Sequence, residues 1–337
     1  VQKSAFAVWG RHGVSVVAIA GLLTGCAPGQ SSTQAQRIGP DDGTDACRTY
    51  LVTLDSTGNF FGAQIATGVA VGAMGGAALG SLIIGGWGGA AFGAAVGSVG
   101  GGATSYWMAL QQQQMDQAAL YQRVSSDLQT ENTEIDKTQL AFDQLTDCRF
   151  RQAQAVRADF HAGRVSRAQA EAAMASIRAH AQQDLQLAQS INQQIQDRGQ
   201  QFQGAASNVA PGPAPPPPEV AQQPAVLSAA AALKVRSDPS APDIAQLHRG
   251  AQVQVTGGRN GYALVETPSG TRGYLAASDL QSPAARRTVS AASTAASTNS
   301  GDVRTLAGSN AARRDDFAQS VAVTQSAQAS GFELTAG

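Results

Sequence analysis

From Ser56 to Met115 the chain carries no charged residue, and within that stretch glycine recurs at every fourth position in two successive registers. The first is Gly68, Gly72, Gly76 and Gly80; the second is Gly85, Gly89, Gly93, Gly97 and Gly101. On an α-helix, positions four apart share a face, so each register makes a smooth stripe. Such a stripe lets two backbones approach closely and gain van der Waals contact. The break between the registers lies near Ser81 to Gly86, which predicts a helical hairpin over residues 58–108 with arms 58–82 and 86–108. Each arm is long enough to cross a bilayer, which takes about 20 residues. Gly and Ala are only marginally apolar, so a tightly packed pair, shielded by protein or lying on a membrane surface, is the alternative. Phe60-Phe61 and Tyr106-Trp107 bracket the segment and predict an interfacial aromatic belt.

The composition follows from this. Glycine supplies 37 residues, while aromatics are 5% and charged residues 14%, which argues against one large globular core. The formal net charge of -1 gives no nucleic-acid signature.

Ahead of the glycines, Lys3, Arg11 and His12 precede the uncharged run Gly13 to Leu23. A basic stretch followed by a short apolar one is the physical form of an export signal. The run ends in Leu23-Thr24-Gly25-Cys26, which resembles the lipobox of bacterial lipoproteins. The resemblance implies a signal peptide over residues 1–25, a lipid on Cys26 and a membrane partner. Ala27, rather than Asp, follows the cysteine. By the same resemblance this points to the outer membrane, facing the periplasm. Residues 26–57 read as a tether and a short helix. The glycine segment in turn resembles the glycine-zipper region of outer-membrane lipoproteins such as the rickettsial 17 kDa antigen and its relatives.

With Cys26 lipidated, Cys47 and Cys148 remain as a pair, which suits an oxidising compartment. Geometry leaves their pairing open. If Gly58 and Leu110 lay side by side, a straight helix would put Cys148 about 57 Å away. The link from Cys47 to Gly58 reaches at most about 37 Å. Either the helix folds back or the bond is between chains.

Residues 109–203 turn polar and carry Tyr121, Val124, Leu128, Ile135, Phe142 and Leu145 at helical spacing, with Glu131 and Thr138 as weak positions. Gly163 breaks the pattern and Ser166 can cap the next helix, which carries Met174, Ile177, Ala181, Leu185, Ala188, Ile191, Ile195 and Phe202. This predicts antiparallel coiled-coil helices, as a two-helix hairpin or a small bundle. His161 and His180 lie here without clustered ligands. Residues 204–223 contain Pro211-Gly212-Pro213-Ala214-Pro215-Pro216-Pro217-Pro218, an extended linker.

Beyond the linker the period changes to two. Leu233-Lys234-Val235-Arg236-Ser237, Ile244 to Gly250, Val253-Gln254-Val255, Asn260-Gly261-Tyr262-Ala263-Leu264-Val265 and Gly270 to Leu275 succeed one another up to Leu280. In order and spacing, residues 224–281 resemble a bacterial SH3 (SH3b) domain, with Tyr262 and Tyr274 where that family commonly has Trp. The resemblance implies a small SH3-like β-barrel that binds peptidoglycan or a periplasmic protein. Arg236, Tyr262, Arg272 and Tyr274 are the candidate ligand-binding groups, and core packing of both tyrosines is the competing reading. Residues 282–337, rich in Ala, Ser and Thr, read as a disordered tail with short helical turns near Arg313 to Ala322.

The expected fold class is therefore multidomain α + β. The expected function is a lipid-anchored scaffold linking outer membrane to peptidoglycan or a periplasmic partner, with a glycine-zipper homo-oligomer forming a pore as the alternative. An enzyme is not expected. No Cys or His follows His248, no His/Glu spacing suits zinc, and the glycine segment has no Lys for a phosphate loop. No cofactor and no nucleic acid are expected.

Overall fold

A computed structural model describes residues 34–63, 65, 105–212, 222–283 and 301–334. Residues 1–25, where a signal peptide is expected, Cys26 and both glycine registers lie outside the described residues. In chain order the described elements are α1 (Gln34–Ile38), α2 (Arg48–Gly62), α3 (Ser105–Gln111), α4 (Gln117–His161) and α5 (Arg167–Val209). Then come β1 (Gln223–Val226), β2 (Ala231–Lys234), β3 (Asp243–Leu247), β4 (Gln252–Arg259), β5 (Tyr262–Glu266), β6 (Arg272–Ala276) and α6 (Val303–Gly331).

Local chemistry sets the ends of the two long helices. Asp116 caps α4 by accepting from the Ala119 amide. The chain reverses at Gly163, whose φ of 69° suits a residue without a side chain. Ser166 opens α5 with a capping box. Its hydroxyl accepts from the Gln169 amide, and the Gln169 side chain accepts from the Ser166 amide. The apolar positions expected to face inward on α5 are buried, from Met174 to Phe202. On α4, Val124, Leu128, Ile135, Phe142 and Leu145 are buried and Tyr121 is half-buried.

Of the two readings, hairpin or small bundle, the structure shows the bundle. On α4, Glu131, Asn132, Ile135, Thr138, Ala141 and Phe142 are all buried, a face too wide for one partner. Helices α2 and α6 cover the remainder, making a four-helix bundle. Helix α2 runs antiparallel to α4. It begins where Cys47 and Cys148 form an intrachain disulfide with Cα atoms 5.9 Å apart. It ends beside Arg198, whose guanidinium lies 4.7 Å from the Phe60 ring centroid. Gly58 is needed at the crossing with α5, because a Cβ there would lie 2.2 Å from Ile191 Cδ1. Gly58 to Gly62 thus belong to α2 and not to the start of a glycine hairpin. Gly58 also lies against Ile191 rather than Leu110, which removes the distance objection to an intrachain disulfide. Closing a loop of 101 residues contributes roughly 4.7 kcal/mol in the chain-entropy model.

The expected aromatic belt is corrected as well. Phe61 and Tyr106 are buried in the bundle. The Tyr106 ring lies 5.0 Å from Phe202, and its hydroxyl donates to Asp127 Oδ2 at 2.7 Å. Protein groups, not a membrane interface, satisfy both ends of this side chain.

The tail from residue 282 is not disordered throughout. Asp302 caps α6 by accepting from the Thr305 amide, and the helix runs parallel to α4. Asn132 donates to the Leu306 carbonyl, the Phe142 and Phe317 rings are 5.7 Å apart, and the Phe150 and Phe332 rings stack at 4.9 Å. Ala, Ser and Thr let the helix nest closely, so burial comes without the large apolar side chains that mark an amphipathic sequence.

The six strands form one antiparallel sheet in the order β1-β4-β5-β6-β2-β3, and a Leu227–Leu280 bridge adds a further antiparallel contact. Asn260 and Gly261, both at positive φ, make the tight β4–β5 turn. Leu233, Val235, Val253, Val255, Val265 and Leu275 form the barrel core.

Three hydrophobic clusters succeed one another along α4. At one end, Val124 and Leu128 pack with Tyr106, Phe202, Leu306 and Ile65. In the middle, Phe142 packs with Leu54, Ile191 and Phe317. At the other end, Phe150 and Ala153 pack with Ile177, Phe332 and the barrel. Among the described residues no helix is long and apolar enough to cross a membrane.

Candidate functional site

One face of the barrel lies against α4 and α6, and this face carries the candidate ligand groups. Successive strand residues point to opposite sides. Leu275 is in the barrel core, and a Cβ on Gly273 would meet Leu233 and Ile244 within 3 Å, so both positions face inward. Tyr274, between them, faces outward. Its 1% exposure comes from the helices that cover it.

The charged groups follow from local structure. Asp143 and Asp147 are four apart on α4 and share a face. Arg236 comes from the loop between β2 and β3, and donates to both Asp147 oxygens at 2.9 and 2.5 Å. That is a forked pair of the stronger kind. Arg259 closes β4, pairs with Asp316 of α6 at 3.3 Å and lies 5.9 Å from the Tyr274 ring centroid. Its Nε also donates to Ser237 Oγ at 3.1 Å. At the edge of the face, the Arg272 amide donates to Ser326 Oγ at 2.9 Å, and Ser326 donates to the Gly270 carbonyl.

Asp143 completes the cluster. It accepts from Gln139 at 2.8 Å. Burial pushes its carboxyl up to about 6, and Arg236 and Arg259 oppose that rise. Burial likewise raises Asp316, again against Arg259. Arg151 also reaches Asp147, at 3.3 Å, so three carboxylates face three guanidiniums. The Tyr274 hydroxyl is buried at this junction and has no hydrogen-bond partner among the described residues.

The structure brings Arg236 and Tyr274 together, but not as an open surface. Arg272 stays at the rim, paired with Glu266 at 2.7 Å. Tyr262 is half-buried against the barrel cluster. Arg259, Asp143, Asp147 and Asp316 were not singled out from sequence. The four-residue spacing of Asp143 and Asp147 was a readable signal on α4. Asp316 lay in a stretch expected to have no partner. Among the described residues, no group of three or more His, Cys, Asp or Glu side chains is placed to hold a metal ion.

Residues 231–281 match the family model of the bacterial SH3 domain, and this part of the chain is such a domain. No curated protein and no solved structure matches the chain. Bacterial SH3 domains are commonly peptidoglycan- or protein-binding modules.

Proposed function

We propose that the chain is a non-catalytic, lipid-anchored scaffold of the bacterial envelope. In this reading Cys26 carries the lipid, the glycine segment associates with the outer membrane, and the SH3 domain engages peptidoglycan or a periplasmic protein. The polarity of the helical bundle is the observation that carries the reading. The uncharged segment leaves after Ala63, whose carbonyl accepts from Arg198, and returns at Ser105. Ile65 and Tyr106 belong to the same hydrophobic cluster, so both flanks sit at one end of the bundle. The barrel packs at the other end, against Phe150 and Phe332. Between Val124 and Phe150 the rise of α4 is about 40 Å. A rigid spacer with both flanks of the uncharged segment at one end and a binding module at the other suits a link between two layers. The disulfide supports an oxidising compartment.

Fractionation of cells with labelling by a fatty-acid analogue tests the anchor. Cys26→Ser should lose the label and leave the outer-membrane fraction. A peptidoglycan pull-down comparing the full chain with one ending before Pro211 tests the wall-binding version. Equal retention of the two would remove the barrel from that role. The pore alternative rests on the glycine registers alone.

A further inference from the structure

We infer that the barrel face formed by Arg236, Arg259 and Tyr274 is a recognition site for an acidic helical segment of a partner protein, held shut by the chain's own α4 and α6. This deepens the proposal above and rests on its reading of the SH3 domain as a binding module.

Two observations converge. The present occupant is itself an acidic helical surface: Asp147 fills the fork of Arg236, Asp316 takes Arg259, and Asp143 lies between them. A partner helix with carboxylates four apart reproduces the Asp143 and Asp147 pair of α4, because side chains at that spacing share one face. The fit of the internal occupant is also incomplete. The outward-facing Tyr274 ring is covered, yet its hydroxyl has no partner, an expensive condition for a buried donor. A carboxylate seated beside Arg259 would accept from that hydroxyl and from the guanidinium together.

The barrel core does not depend on this contact. Leu233, Val235, Val253, Val255, Val265 and Leu275 face one another inside the sheet, while Tyr274, Arg236 and Arg259 lie on its outer side. Displacement would therefore expose the face without opening the barrel.

The test uses the full chain and two readouts. The first is hydrogen exchange at the Arg272 amide, whose acceptor is Ser326 on α6, so its protection reports docking. The second is calorimetric binding of a synthetic alanine-based helix carrying Asp four residues apart, with an Asn version as control. Asp147→Asn with Asp316→Asn should speed Arg272 exchange and tighten binding of the acidic helix at least tenfold over the parent. Arg236→Ala in that background should abolish it. Tyr274→Phe keeps the ring and removes only the unpartnered hydroxyl, so it should slow exchange and weaken binding. Unchanged exchange in the Asn pair would overturn the latch. Faster exchange without tighter binding would overturn the ligand class, as would equal binding of the Asn helix. Preferential binding of a free cell-wall stem peptide would replace the protein partner by the wall. None of these outcomes touches the Cys26 labelling and fractionation result, which stands or falls separately.

Discussion

Arg198 ties three elements together at the level where α2 ends. Its guanidinium pairs with buried Glu131 of α4 at 2.6 Å, donates to the Ala63 carbonyl at 2.8 Å and covers Phe60. Burial pushes the Glu131 carboxyl up, and Arg198 opposes that. Removing one member of a buried pair strands the other charge, which costs about 3–5 kcal/mol. Arg198→Ala should destabilise the chain by that order in urea unfolding, and Glu131→Gln with Arg198→Met should recover much of the loss. For Asp143, which is raised as well, removing the charge has the opposite effect on stability. Its pKa is raised from 3.8 to about 6, so the folded state holds the proton more tightly than the unfolded state. The contribution is fully present below the unfolded value and is lost as pH rises through the folded one. One pKa unit is about 1.4 kcal/mol, so at pH 7.5 the ionised group costs up to about 3 kcal/mol. Asp143→Asn should raise stability by roughly 1–2 kcal/mol at pH 7.5 and by nearly nothing at pH 4, read as the difference between variant and parent unfolding. An equal gain at both pH values would deny the shift.

Among the elements, α6 joins the helical bundle to the barrel. It contributes Phe317 to the middle cluster and Val323, Ala327 and Phe332 to the barrel end. Phe317→Ala should cost about 3–5 kcal/mol, as expected for a buried phenylalanine truncated to a methyl group. A change under 1 kcal/mol would mean that the helix is an ornament on the bundle. Helices α4 and α5 were legible because large apolar residues recur at helical spacing, with Gly163 and Ser166 marking the turn. The barrel was legible through its alternation and its glycine turns. Helix α6 was not, because its anchors at Val303, Leu306, Phe317 and Val321 are separated by Ala, Ser and Asn that bury without looking apolar. The candidate site was half legible for a related reason. Arg236 and Tyr274 lie within the SH3 pattern itself. Asp147 and Asp316 come from helices far away in sequence, and only the bundle brings them to the same face.

At the scale of the molecule, the account depends on one dimension. The flanks of the glycine segment and the SH3 domain occupy opposite ends of a rigid bundle, about 40 Å apart along α4. The disulfide between Cys47 and Cys148, the Arg149 clamp between Asp45 and Asp184, and three successive clusters hold the bundle together. A scaffold needs this separation; a module folded back on the membrane would have no use for it. The measurement is energy transfer from a fluorophore on the lipidated full chain to acceptor headgroups in vesicles. Ser278→Cys places the dye on an exposed barrel position, and Gln112→Cys places it beside the returning end of the glycine segment. The account predicts strong transfer from position 112 and weak transfer from position 278, with a difference in height of several tens of ångströms. Equal transfer from the two positions would contradict it.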